Sequence, residues 1–274
     1  MIDTRKIQNF LNINQCNWEV RFIDECSSTN EEVLKILDED QELAFPGLVL
    51  LTDFQSQGKG RRGSKWESNK SKDLLFSIAF SPIMSTKNWS RLTHATALGI
   101  CNALNKLNYN VTIKWPNDIY IGASKVAGIL VESFPKILQN SGTGLAVIGV
   151  GLNVNSKHED FSENFRTPAT SLLVKTNPEK DELDRLLIAE MVLNEIHIQI
   201  NNCEKSFSKI LDDIKKISFI YQKKIRIQLT NGNIITGKVL DFGNEGEIII
   251  EKESPESGKP KIELISSAHE VRLI

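Results

Sequence analysis

The chain of 274 residues has no basic surplus: 33 lysines and arginines stand against 35 aspartates and glutamates, for a net charge of −2. Proteins whose main partner is nucleic acid usually carry such a surplus, so the balance argues against that class. Aromatic residues are sparse at 7%, which leaves few platforms on which bases could stack. Cysteine is scarce and unpatterned. Cys16, Cys26, Cys101 and Cys203 form no C-x-x-C pair and no metal-ligand spacing with the four histidines, so free thiols in a reducing compartment are expected. No apolar run approaches the length of about 18 residues that marks a membrane helix, and the N-terminus lacks the basic stretch and apolar core of a signal peptide. Internal repeats and low-complexity segments are missing as well. The expectation is a cytoplasmic globular protein with no membrane partner, long enough for one sizeable core and a small second domain.

What is present is concentrated. Gln55-Ser56-Gln57-Gly58-Lys59-Gly60-Arg61-Arg62-Gly63-Ser64-Lys65-Trp66 follows the apolar run Leu48-Val49-Leu50-Leu51, which reads as a buried strand. Its three glycines let the backbone turn sharply and come close to a ligand. Between positions 55 and 72 six basic residues face the single acid Glu67. Guanidinium forks and ammonium groups suit phosphate or carboxylate, and a local surplus on a neutral chain suits a small anion. Taken alone, the loop also fits a surface turn. It is not a P-loop, because Gly58-Lys59 runs into Gly60 where that motif needs distant spacing and Ser/Thr. It is not a Rossmann fingerprint either, since Lys65-Trp66 and a polar stretch follow Gly63 instead of an amphipathic helix.

The rest of the chain reads as an α+β fold. After a short leader, Trp18, Val20 and Phe22 alternate as a first strand, and 27–32 open a helix with Val33, Ile36 and Leu37 on one face. Thr29 with Glu32 fits a capping box, and on that evidence Ser28 and Thr29 need be no more than caps. Strand-like runs at 74–80, 111–115, 119–121, 126–134 and 145–154 are interleaved with helical patterns at 86–107, 181–199 and 204–217. Hairpin-linked strands with interspersed helices imply a mixed β-sheet with packed helices, not a parallel βαβ series. Beyond about residue 218 short strands alternate with turn signals such as Asn231-Gly232, which predicts a small β-barrel of SH3 type. The expected division is 1–218 and 219–274. The tail from 220 to 274 holds eight basic and eight acidic residues, so it too lacks a nucleic-acid signature.

Three further segments carry chemistry. Lys114-Trp115-Pro116-Asn117-Asp118 places a cation, an indole and two polar residues at a strand end, where sheet proteins tend to contact ligands. It equally fits a core-to-turn junction closed by an Asx turn. Lys125 opens the next strand, so a hairpin would bring it back towards Asp118, although a single lysine near a turn is ordinarily just solvated. Gly149-Val150-Gly151-Leu152-Asn153-Val154 is a strand with two glycines, a pattern that often marks close approach by a ligand, with Asn153 as a hydrogen-bonding partner.

Together these blocks resemble the biotin–protein ligase family. Ser-Thr-Asn stands at 28–30, Gln-x-x-Gly-Lys-Gly-Arg-x-Gly-x-x-Trp at 55–66, and Lys-Trp-Pro-Asn-Asp at 114–118. Lys-x-Ala-Gly-Ile-Leu-x-Glu follows at 125–132 and Gly-x-Gly-x-Asn at 149–153. The resemblance implies a class II synthetase-like catalytic domain with a C-terminal SH3-like barrel. It implies ATP, biotin and Mg²⁺: biotin is activated to biotinyl-5′-AMP and passed to one lysine of a biotin carboxyl carrier protein domain, as in acetyl-CoA carboxylase. By the same carry-over Lys125 is the main catalytic cation, and Arg61 holds the adenylate. Ser28, Thr29, Asn30, Gln55 and the backbone around Gly58, Lys59 and Gly60 bind biotin, with Trp66 walling its apolar part. Lys59 joins Arg61 and Lys125 in neutralising phosphoryl oxygens. Arg62, Gly63, Lys114, Trp115, Gly128 and Asn153 complete the binding set. Asn117 and Asp118 lie near the nucleotide or metal, whose ligands are left unassigned. Arg272 is a weak match to an arginine that touches nucleotide in some members. Only 27 residues precede Ser28, too few for the helix-turn-helix domain of bifunctional members, so no DNA and no repressor role are expected. A homodimer through sheet edges is left open. The Arg-Arg-x-Ser-Gly-Gly-Gly block of lipoate ligases is absent.

Overall fold

A computed structural model describes residues 2–39, 47–134, 144–162, 168–176, 181–252 and 261–274. In chain order it runs α1 (Thr4–Ile13), β1 (Glu19–Ile23), α2 (Thr29–Glu39), β2 (Leu48–Thr52), β3 (Leu74–Phe80) and α3 (Ser90–Lys106). Then come β4 (Thr112–Lys114), β5 (Asp118–Ile121), β6 (Ser124–Phe134), β7 (Leu145–Leu152), α4 (Leu172–Thr176), α5 (Arg185–Lys205) and α6 (Phe207–Ile217). The chain ends in β8 (Lys224–Gln228), β9 (Ile234–Phe242), β10 (Ile248–Lys252), β11 (Lys261–Ile265) and β12 (Glu270–Leu273).

Seven strands form one mixed sheet in the order β1-β2-β3-β7-β6-β5-β4. Only β1 and β2 run parallel; every other neighbouring pair is antiparallel. The period-two alternation of a strand divides its side chains between two faces, and here the faces differ in use. Val49, Leu51, Leu74, Phe76, Ile78, Ile148 and Val150 pack with α1, α3, α5 and α6 into the main core. On the opposite face Leu48, Leu50, Ala79, Leu145 and Val147 pack against Val33 of α2. Along that second face the ladder then changes character: Ser77, Gly149 and Leu130 are cross-strand neighbours, as are Gly128 and Gly151. Ser77 and the three glycines give little apolar cover there, so the sheet opens where α2 begins.

The leader holds a helix that the polar composition concealed. α1 is capped by Asp3, whose carboxylate accepts from Arg5 N at 3.1 Å, and it buries Ile7 and Leu11 one turn apart. The Thr29–Glu32 capping box is not formed. Thr29 is the first residue of α2 and its hydroxyl is committed to Gln55. The apolar pattern at 86–107 starts with a single 3₁₀ turn, Thr86–Asn88, before α3 begins. No helix among the described residues is long and apolar enough to cross a membrane. All four cysteines are free and buried.

The last five strands make an antiparallel sheet in the order β11-β10-β9-β8-β12. Its β9–β10 turn docks on the first sheet's helices. Glu245 takes a two-pronged hydrogen bond from Arg91 at 3.0 and 2.6 Å. The Trp115 indole N–H donates to Gly246 O at 2.8 Å. Gly246 has φ +84, and a Cβ there would stand 1.9 Å from His94 Nε2, so only glycine lets the turn seat.

His94 is buried in that junction. Burial pushes its imidazole down to about 4 from 6.5, although a backbone hydrogen bond with Gly246 partly opposes the shift. Between those two values the unfolded chain holds more protons than the folded one, so stability falls as pH falls from 6.5 towards 4, by up to about 3 kcal/mol. The thermal midpoint should therefore drop across that window, and His94→Asn should flatten the drop. A slope identical in wild type and variant would contradict the assignment.

Candidate active site

The open face of the first sheet, the N-terminus of α2, the glycine-rich loop and the β4–β5 turn enclose a cavity of about 470 Å³. Its floor explains two of the glycines. A Cβ on Gly151 would lie 2.2 Å from Trp66 Cε2, and one on Gly149 would lie 2.4 Å from Asn30 Oδ1. The Trp66 indole and the Asn30 amide therefore rest directly on the backbone of β7. Any larger residue would lift them into the space a ligand needs.

Cations crowd one end. Lys125 Nζ sits 2.7 Å from Asp118 Oδ1 and 5.5 Å from the centre of the Trp66 ring. Arg61 Nη1 donates to Asn117 Oδ1 at 3.1 Å. Asn117 in turn donates to Ile129 O at 2.9 Å, which fixes its orientation. Lys114 Nζ donates to the Tyr120 hydroxyl at 3.0 Å and stands 4.8 Å over that ring. Burial lowers the pKa of both Arg61 and Lys114; Arg62 lowers Arg61 further, while Asp118 opposes the shift on Lys114. A bound anion would relieve this crowding. Lys59 stands apart. Its ammonium is paired with Glu31 at an exposed rim, which raises the lysine's pKa and lowers that of the glutamate.

The polar end is built from α2. Thr29 N and Oγ1 both donate to Gln55 Oε1, at 2.8 and 3.1 Å. That leaves the Gln55 amide nitrogen as its free donor group. Ser28, Thr29 and Asn30 are all buried yet line the cavity.

A second hollow of about 240 Å³ lies beyond Trp66, bounded by Asn153, Asp160, Phe161 and Ala169. Trp66, Asp118 and Lys125 belong to both walls. Two concave spaces thus meet at one ammonium group.

Residues 23–153 match the model of the biotin/lipoate A/B protein ligase family. Similar relatives include the biotin–(acetyl-CoA-carboxylase) ligase of Mycobacterium tuberculosis, 24% identical over 91% of this chain and 90% of that protein. The enzyme of the same name from Paracoccus denitrificans is 33% identical over 47% of this chain and 50% of its own length. The biotin protein ligase of Aquifex aeolicus in complex with biotin and ATP superposes with a TM-score of 0.76 at 25% identity, covering 93% of this chain and 99% of that one.

Most of the residues expected from sequence line the 470 Å³ cavity: Ser28, Thr29, Asn30, Gln55, Lys59, Gly60, Arg61, Arg62, Gly63, Trp66, Lys114, Trp115, Asn117, Asp118, Lys125 and Gly128. Two stand elsewhere. Gly58 is packed against the Trp66 carbonyl, and Asn153 borders the second hollow with its Nδ2 donating to Thr170 O at 2.9 Å. Trp115 is almost fully buried and its N–H is spent on docking the second sheet, so it supplies wall but no donor. Arg272 pairs with Glu270 at 2.9 Å and is not among the lining residues, whereas Ala268, His269, Glu270 and Val271 are. Sequence reasoning missed that C-terminal lining, and it missed Ser77 and Glu132 beneath Asn30. A lone serine in an otherwise apolar central strand was the available signal for Ser77.

Gly151→Ala should destabilise the fold by about 1–3 kcal/mol, because neither indole nor backbone can yield without strain. It should also blue- or red-shift Trp66 emission, measured against a Trp66→Phe reference. Wild-type stability together with an unchanged spectrum would show that the indole does not rest on this strand.

Proposed function

We propose that the chain is an ATP-dependent biotin–protein ligase. The observation that carries this reading is the pair of hollows meeting at Lys125 and Asp118. A two-part adenylate, an acyl group joined through phosphate to a nucleoside, needs two pockets with positive charge at the join. The larger hollow, with its urea-matching groups on Thr29, Asn30 and Gln55, would take biotin; the smaller, beside Trp66 and Phe161, would take the adenine end.

The reaction follows in two steps. A biotin carboxylate oxygen attacks the α-phosphorus of ATP, the α–β bridging bond breaks and pyrophosphate leaves. Lys125, Arg61 and Lys114 would hold the phosphoryl oxygens as their charge grows, as positive charge already fixed in place before the reaction. The neutral amine of an acceptor lysine then attacks the acyl carbon, loses a proton and expels AMP. We assign the acceptor to a biotin carboxyl carrier domain, residues 1–218 to the catalytic unit and 219–274 to the smaller one, and the cytoplasm as the compartment. Packing of α1 against β1 and α5 supports a role for the N-terminal segment within the ligase core.

Mg²⁺ fits as a companion of the triphosphate. Among the described residues no group of three metal-ligating side chains gathers, whereas Mg²⁺ commonly uses one carboxylate with phosphate oxygens and water. Asp118 and Glu270 are the carboxylates that line the cavity and would be available for that, and the ion would supply further neutralisation of phosphate charge.

Pyrophosphate release from ATP should depend on biotin, with lipoate and octanoate inactive in parallel assays. Lys125→Ala should lower that rate by about a hundredfold or more while the thermal midpoint holds. Release with lipoate instead would move the substrate assignment to the other branch of the family. A Lys125→Ala enzyme of near-normal rate would remove that lysine from the chemistry.

A further inference from the structure

The block at 125–132 ends on Glu132, a residue that the reaction above leaves without a task. It stands on β6, on the cavity face, opposite Val147. Glu132 Oε2 accepts from Asn30 Nδ2 at 2.7 Å, across 102 positions of sequence. At the other end of the same amide, Asn30 Oδ1 accepts the Ser77 hydroxyl at 2.5 Å. Gly149 closes the third side. A carboxylate accepts and a hydroxyl donates, so these two partners together admit only one of the amide's two orientations.

The contacts continue into α2. Ser77 Oγ, its proton given to Asn30, also lies 2.7 Å from Thr29 Oγ1, and the Thr29 backbone N–H is held on Gln55 Oε1 at 2.8 Å. Asn30, Thr29 and Gln55 line the cavity, whereas Ser77 and Glu132 do not. Lys59 does not compete for this carboxylate, because its ammonium is bonded to Glu31.

We infer that Glu132 is a positioning residue for substrate recognition: through Asn30 and Ser77 it holds the α2 groups in the donor and acceptor order that a cyclic urea requires. This rests on the ligase reading above. A cyclic urea presents one acceptor flanked by two donors. An amide that flips offers it a donor where an acceptor is needed, and a buried mismatch of that kind is costly.

The test is biotin binding measured by calorimetry without ATP, in wild type, Glu132→Leu, Glu132→Gln, Asn30→Ala and the Asn30→Ala/Glu132→Leu double variant. Glu132→Leu should weaken biotin by about tenfold or more, and Glu132→Gln, which keeps an acceptor, should recover most of that loss. In the Asn30→Ala background the leucine substitution should cost less than about twofold, because its effect runs through that amide. The KM for ATP should not move. Equal weakening with and without Asn30, or no weakening at all, overturns the inference. Should Glu132→Leu fail to fold, Ser77→Ala reads the same relay from its other end, and unchanged biotin affinity there overturns it equally. Wild-type protein that binds no biotin sinks the ligase reading, and this inference with it.

Discussion

The Lys125–Asp118 ion pair, at 2.7 Å, is the interaction around which the rest of the site is arranged. It stands at the seam of two hollows, with the Lys125 ammonium over the Trp66 ring and Arg61 and Lys114 lining the same cavity. Partly buried cations outnumber the carboxylates able to balance them, and burial already lowers the pKa of Arg61 and Lys114. The site is therefore complementary to added negative charge, and most so at the point where phosphate would bridge the hollows.

Holding that charge in place is the task of the sheet. β4 and β5 form a tight hairpin that returns Asp118 to face Lys114, and β5 pairs with β6 so that Lys125 comes back beside Asp118. The same period-two alternation that packs Leu48, Leu50 and Ala79 under α2 leaves Ser77, Gly149 and Gly151 on the neighbouring stretch of that face. One surface thus serves as core at one end and as ligand floor at the other. The second sheet closes the wall through the turn that Arg91, His94 and Trp115 receive, and through Ala268 to Val271.

Much of this was legible in the residues. β3 occupies Leu74–Phe80 as its largely apolar run required, and the blocks at 114–118 and 125–132 converge because a hairpin brings them together. Other features were not legible, for a physical reason. Periodicity says which face a residue takes, but not what that face will meet. Hence Thr29 looked like a cap when its hydroxyl belongs to Gln55, 26 positions away, and Glu132 looked like a motif's last letter when its partner is Asn30. Trp115 had the composition of a ligand contact, yet long-range docking claims its N–H for Gly246. Lys59 had the charge for phosphate, but Glu31 on the facing helix holds it at the rim.

The claim that the α-phosphorus is attacked at the Lys125 seam is tested most directly by isotope. Biotin labelled with ¹⁸O in its carboxylate would be turned over with ATP and a carrier domain bearing an acceptor lysine, and the products analysed by mass spectrometry. The account predicts that one labelled oxygen appears in the phosphate of AMP and none in pyrophosphate. Label retained wholly in the biotinyl product, or found in orthophosphate or pyrophosphate, would contradict it.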